Sequence, residues 1–326
     1  MGQAAQGLDR PPSPAFLVVM NPVLRSSGNL SADRRYDYAR AAAGEGDHAA
    51  AADLLQQTLE IAPRWAPAWF ALGESREALG EHGAAAEAFA QALDCEPDDS
   101  QGAGLRLARL RGESPAHPPE AYVRDLFDQY APRFDQHLVS DLGYRAPQVI
   151  ADALMRLCSE RGRDMRFRAA LDLGCGTGLM AREVASFCTE ISGVDLAPAM
   201  TMRARATGLY ARVETGDMVA FLRDMAEGSV DLVLAADVFV YCGDLDPVFT
   251  AARHVLASGG FFAFTLQRAE NGHFMLGEDL RYAHSPDYLA SLAASHGFDM
   301  PVCDQVSVRR DRGADVAGLA IVLTSP

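Results

Sequence analysis

The 326-residue sequence contains no lysine: all 29 of its basic residues are arginine. That absence excludes Schiff-base chemistry and the lysine of a Walker-type phosphate loop. Positive charge is scarce as well. With 29 basic against 44 acidic side chains and a net charge of −15, no broad field attracts nucleic-acid phosphates or an anionic membrane surface. The six cysteines, at 95, 158, 175, 188, 242 and 303, include no C-x-x-C pair, which fits a reduced, cytoplasmic protein without a disulfide framework. No cluster of histidines and carboxylates has metal-ligand spacing, so no metal is expected. Long apolar runs are missing too: the segment 14–24 ("PAFLVVMNPVL") carries Asn21 and two prolines, and lacks the basic flank of a signal peptide. Residues 1–30 read as a flexible leader, with no membrane partner.

What is present divides the chain in two. A length of 326 residues with 49% hydrophobic content suffices for two packed cores. The first region repeats itself. The frames 32–65 and 66–99 align with Gly46 on Gly80 at an inter-helix turn, Ala51 on Ala85, Leu55 on Phe89 and Pro63 on Pro97. The pattern resembles the tetratricopeptide repeat (TPR), and the second copy also carries Trp69, Leu72 and Gly73. A helix at 101–111 then caps an all-α unit spanning 31–112. Two repeats are fewer than the three or so that usually stand alone, so the unit must lean on its cap and on the second domain. It either binds a protein partner in a shallow groove or serves packing and self-association. The proline-rich stretch 113–120 ("ESPAHPPE") reads as a linker.

From 121 to 326 helical patterns alternate with short apolar runs at 167–173, 190–196, 211–217, 230–237 and 260–266. Strands buried on both faces of a doubly wound, Rossmann-like α/β sheet read this way. Two further runs, 303–309 and 317–324, lack an intervening helix and predict a C-terminal antiparallel hairpin. A helix over about 120–138 should bend near Pro132, with another over 146–161. The loop "LDLGCGTGLM" (171–180) follows the first strand, where such sheets bind ligands. The dinucleotide fingerprint would need its third glycine at position 179, which is Leu179, so the spacing disfavours NAD. Asp172, two residues before Gly174, would repel a pyrophosphate and suit an ammonium group.

"LDLGCGTG" resembles the first motif of the class I S-adenosylmethionine-dependent methyltransferases. Further landmarks follow in that family's order: Asp195 and Leu196 in "GVDLAPAM", Asp217 and Met218 in "TGDM", and "VDLVLAADVFVY" with Ala236. The order of the two units also resembles the bacterial group of TPR-containing methyltransferases. The resemblance implies S-adenosylmethionine as cofactor, with Asp195 on the ribose hydroxyls and Asp217 and Met218 at the adenine. Asp172, Gly174, Cys175, Gly176 and Gly178 would form the loop beside the methionine. Tyr130 would close the site from an N-terminal helix, or belong only to that helix's packing stripe. Arg145 would pair with the methionine carboxylate, or with a surface neighbour.

The reaction implied is in-line transfer of a methyl group to an O, N or C acceptor. The candidates to take a proton are Asp237, Tyr241 and His284, each with a structural reading beside it: a cap or amide anchor for Asp237, a pocket wall for Tyr241, a helix cap for His284. His273 falls in a polar insertion that either lines the substrate mouth or is only a loop. Three functions are open: a small-molecule methyltransferase first, then a protein methyltransferase recruiting its target through the TPR unit, and a non-catalytic cofactor-binding scaffold.

Overall fold

A computed structural model describes residues 26–311 and 314–326; most of the expected leader, and the tip of the C-terminal hairpin, lie outside these residues. The N-terminal unit is two helical hairpins and a fifth helix: α1 (Leu30–Gly44), α2 (His48–Ile61), α3 (Ala66–Ala78), α4 (His82–Cys95) and α5 (Ala103–Leu110). The Asn29 side chain starts α1 by accepting from the Ser31 and Ala32 amides. Gly46 and Gly80 turn the chain at positive φ, 86° and 76°. Ala51 and Ala85 are fully buried, which lets the helices of each pair approach closely. Gly73 has to be glycine, because a Cβ there would sit 2.6 Å from the Phe89 ring.

The chain then crosses to α6 (Glu120–Tyr130), which breaks into a 3-10 turn at Ala131–Arg133 and a π-helical turn at Gln136–Asp141 before α7 (Ala146–Glu160). The break falls at Pro132 as expected, since proline removes a helical donor and clashes with the preceding turn.

The second unit alternates β1 (Phe167–Leu173), α8 (Leu179–Val184), β2 (Cys188–Asp195), α9 (Pro198–Ala206), β3 (Arg212–Thr215), α10 (Met218–Arg223), β4 (Val230–Ala235), α11 (Asp246–Val255) and β5 (Leu256–Arg268). After β5 come β6 (Phe274–Leu276), β7 (Tyr282–His284), α12 (Pro286–Ser295), β8 (Asp299–Asp311) and β9 (Ala314–Thr324). The strands run parallel in the order β3-β2-β1-β4-β5. β9 lies antiparallel on β5 and β8 antiparallel on β9. Alternation along β5 feeds two cores: Phe262, Phe264 and Leu266 pack with Phe249 and Val255 on one face, Phe261 and Ala263 with Leu154 and Leu157 on the other.

One element was not expected. The polar insertion after β5 contains the pair β6 and β7, and β7 extends the sheet beside Gln267 and Arg268. The stretch 113–119 is also no free spacer: the Ala116 carbonyl accepts from the amides of Gly243 and Asp244, and the Leu276 amide donates to Ser114 Oγ.

Candidate active site

At the carboxyl ends of β1, β2, β3 and β4 lies a cavity of about 420 Å³, within the range of small-molecule sites. Its first half is built from strand ends. Gly174 and Gly176 carry the chain at φ +60° and +52°, a region where other residues are strained. A Cβ at Gly174 would fall 2.6 Å from the Val238 side chain, and one at Gly176 would face Phe134 at 3.7 Å. Asp195 ends β2 with both carboxylate oxygens engaged, Oδ2 by the Gly176 amide and Oδ1 by the Ala197 amide, each at 2.9 Å. Burial raises its pKa. Asp217 caps α10 through Oδ1, which accepts from the Ala220 amide at 2.8 Å. Leu196, Met218 and Ala236 complete this wall.

The second half is mixed aromatic and charged. Phe127, Tyr130 and Phe134, from α6 and the turn after it, roof the cavity, and the Tyr130 hydroxyl is hydrogen-bonded to His137 Nδ1. Tyr144 donates to the Ala236 carbonyl at 3.2 Å. Asp237 follows β4 at φ +59°, a costly conformation for a residue with a Cβ. Its amide donates to Thr265 Oγ1, and its Oδ2 accepts from Arg309 of β8 at 2.6 Å. The ion pair is 2% exposed on the arginine side and 13% on the aspartate side. Asp237 Oδ1 is buried without a hydrogen-bond partner, and a buried carboxylate oxygen left so is costly unless a ligand supplies a donor. Arg281, between β6 and β7, donates to the Tyr241 hydroxyl at 3.2 Å and lies 5.7 Å from that ring's centroid.

Several expected residues are elsewhere, and two placements need correction. His284 does not reach the cavity: it is fully buried in β7 with Nε2 on the Gly243 carbonyl at 2.9 Å. Burial drives its pKa down to about 4. It caps no helix either, because Ser285 caps α12. Arg145 is exposed at the start of α7, where its amide donates to Val308; the cations on the cavity wall are Arg281 and Arg309. Asp172, Cys175 and Gly178 stand behind the wall. Asp172 is 1% exposed and accepts from the Tyr210 hydroxyl at 2.6 Å. Burial is the main cause lifting its pKa to about 7. Cys175 is buried, its thiol pushed far up by that burial. Gly178 starts α8 at φ +92°. His273 stacks on Tyr288 at 5.4 Å, off the wall.

Comparison with known proteins fits this construction. Residues 171–264 match the family model described as a methyltransferase domain. Residues 171–264 thus form an S-adenosylmethionine-dependent methyltransferase domain. Human methyltransferase-like protein 27 is 32% identical over 172 residues, covering 51% of this chain and 66% of that protein. The ubiquinone biosynthesis O-methyltransferase of Xanthomonas oryzae is 31% identical over 109 residues, covering 32% of this chain and 46% of the enzyme. Among solved structures, a methyltransferase from Methanosarcina mazei aligns at 14% identity with a TM-score of 0.43, covering 51% of this chain and 96% of its own. The chain thus spans 66% and 46% of these two curated relatives.

The residues of the methyltransferase domain fit its cofactor. The two glycines leave open backbone where a Cβ would intrude, and Asp195 is pre-oriented at the end of β2 by two amides. Asp195 would hold the ribose, Asp217 and Met218 would meet the adenine, and Gly174 with Ala236 would flank the methionine. No helix among the described residues is long and apolar enough to cross a membrane.

Proposed function

We propose that this protein transfers a methyl group from S-adenosylmethionine to an O, N or C atom of a small molecule. The observation that carries the reading is the two-part cavity: motif residues on one side, and on the other a compact aromatic and charged chamber roofed by Phe127, Tyr130 and Phe134. The cofactor, when bound, supplies a methyl group on an already activated leaving group. The chain's own task is therefore to position the reactants and exclude water. The aromatic roof excludes water; Tyr144 fixes the Ala236 carbonyl, and Arg309 fixes Asp237. Asp237 Oδ1 is the atom positioned to hold a proton or accept from an O–H or N–H group of the acceptor. The O-methyltransferase among the relatives supports including hydroxyl acceptors.

The helices α1 to α5 are read as two TPR-like repeats and a cap, as in the bacterial group named above. Arg40 of α1, Glu74 and Glu77 of α3, and Arg106 and Arg109 of α5 form a ladder of ion pairs across the face shared by these helices. Those charges are already matched within the unit, which favours packing over capture of a charged peptide. The protein is assigned to the cytoplasm on its reduced cysteines.

Incubation of the protein and tritiated-methyl cofactor with a lysate of the source organism, followed by size separation, tests this reading. Label in the small-molecule fraction is expected. Label in protein bands would replace it with the protein-methyltransferase reading, and no label would leave the scaffold.

A further inference from the structure

We infer that Tyr210 is a positioning residue that makes the site prefer the cofactor, whose sulfur is positively charged, over its demethylated product, whose sulfur is neutral. It does so through Asp172, the buried carboxylate behind the glycine loop. The inference concerns the cofactor half of the cavity alone, so it holds for any methyl acceptor.

Neither residue is part of the cavity wall, whereas Gly174 and Gly176 of the loop are. Tyr210 lies in the turn between α9 and β3, pinned to the sheet by the Ala211 amide, which donates to the Ile191 carbonyl of β2 at 2.8 Å. From there its ring runs under the loop. A Cβ on Gly193 of β2 would fall 2.9 Å from the ring and 3.0 Å from Cys175 Cβ, and one on Gly178 would fall 3.3 Å from the ring. The tyrosine thus fills the space that both glycines leave. Its hydroxyl donates to Asp172 Oδ2 at 2.6 Å, and Asp172 pairs in register with Gly193. One side chain therefore joins β1, β2 and the loop that faces the cofactor.

Burial opposes ionisation of Asp172, and the Asp195 charge adds to that, while the Tyr210 hydroxyl favours the charged form; the carboxyl ends up pushed to about 7. Cys175 and Tyr144 also face it, both driven far up by burial and so uncharged. Beyond them, Arg205 of α9 acts on Cys175, and Asp237 and Arg309 act on Tyr144. Near neutral pH the charge on Asp172 therefore depends on the hydroxyl that holds it. A carboxylate only 1% exposed is poorly screened by solvent, and its attraction reaches a cation across the loop. Adenine, ribose and the amino-acid group are common to cofactor and product, so contacts with them favour neither. A charge on the chain does separate the two, and a site that holds the product less tightly releases it sooner.

Titration calorimetry on the full chain, with S-adenosylmethionine and S-adenosylhomocysteine in parallel, reads this preference as a ratio of affinities. The ratio is expected to fall at least about threefold as pH drops from about 8.5 to about 5.5, because Asp172 takes up its proton through about 7. Tyr210→Phe keeps the ring and loses the donor. At about pH 7 it should lower the ratio about threefold while S-adenosylhomocysteine affinity stays within about twofold, and it should move the pH midpoint upward. Asp172→Asn should lower the ratio at high pH and flatten its pH dependence. Equal weakening of both ligands in Tyr210→Phe would mark the tyrosine as a structural prop and overturn the inference. A wild-type ratio constant across pH would overturn it as well, whatever the variants do. Should Tyr210→Phe bind neither ligand, Asp172→Asn decides, since an unchanged ratio there leaves the carboxylate no part. A wild type that binds neither ligand would sink the methyl-transfer reading itself.

Discussion

Asp172 and His284 are both buried, and their protonation pulls stability in opposite directions as pH changes. Burial pushes the Asp172 carboxyl up to about 7 in the fold, against 3.8 for an ordinary carboxyl. Between those values the folded chain keeps a proton that the unfolded chain has released, so the contribution present below 3.8 is lost as pH rises through about 7. His284 titrates near 4 in the fold against 6.5. Its contribution is present above 6.5 and is lost as pH falls through about 4, because only the unfolded chain then gains the proton. Each shift corresponds to at most about 3–4 kcal/mol. Thermal melts across pH should separate them: Asp172→Asn is expected to gain on the wild type as pH rises from about 4 to 7, and His284→Gln as pH falls from about 6.5 to 4. Parallel melting curves for variant and wild type would show that neither shift exists.

Gly174 supplies a second test on this scale. Alanine there meets Val238 at 2.6 Å and holds a positive φ, so Gly174→Ala should cost about 1–2 kcal/mol of stability from the backbone alone. It should also weaken S-adenosylhomocysteine binding at least about tenfold. Unchanged calorimetric affinity would contradict the assignment of the loop to the cofactor.

Elements differed in how far the sequence announced them. The five parallel strands are apolar runs long enough to declare burial on both faces, and the glycine spacing of the loop after β1 departs from the dinucleotide fingerprint at Leu179. Asp195 and Asp217 were legible as cavity residues because one ends β2 and the other lies two residues beyond β3. β6 and β7 were not: three residues each, inside a polar stretch, give no period to detect. Arg281 went unassigned with them. Arg309 is 72 residues from Asp237, and only the pairing of β8 on β9 and β9 on β5 brings the two together. Arg145 and His284 failed for the converse reason, as nothing in local sequence says which way a side chain leaves its element. The roof belongs to this scale too. Removing its central ring in Phe127→Ala should open the cavity to water and weaken S-adenosylhomocysteine severalfold, with little change in melting temperature because Phe127 is only half-buried. A melting point lowered as far as by a core truncation would mark Phe127 as structural packing instead.

At the scale of the whole molecule, the helical unit and the methyltransferase domain share a core. Leu105 of α5 is 1% exposed and packs in one cluster with Tyr122 and Val123 of α6 and with Leu276, Leu280 and Tyr282 around the β6–β7 pair. Leu105→Ala should therefore cost about 2–4 kcal/mol and show as a single cooperative transition moved to lower temperature. Two separate transitions in the wild type, only the first of them displaced, would mean that the units melt independently.

The Ala116 carbonyl, which holds the amides of Gly243 and Asp244, gives the chain before α6 a fixed length. Inserting or deleting one residue between Gly112 and Glu120 would shift His117 and Pro118 along the cavity wall they now form, and would pull on the segment that carries Tyr241. The two units are consequently not interchangeable cassettes. A recombinant that joins these helices to a related domain through a connector of another length would inherit both folds and lose the shape of the chamber.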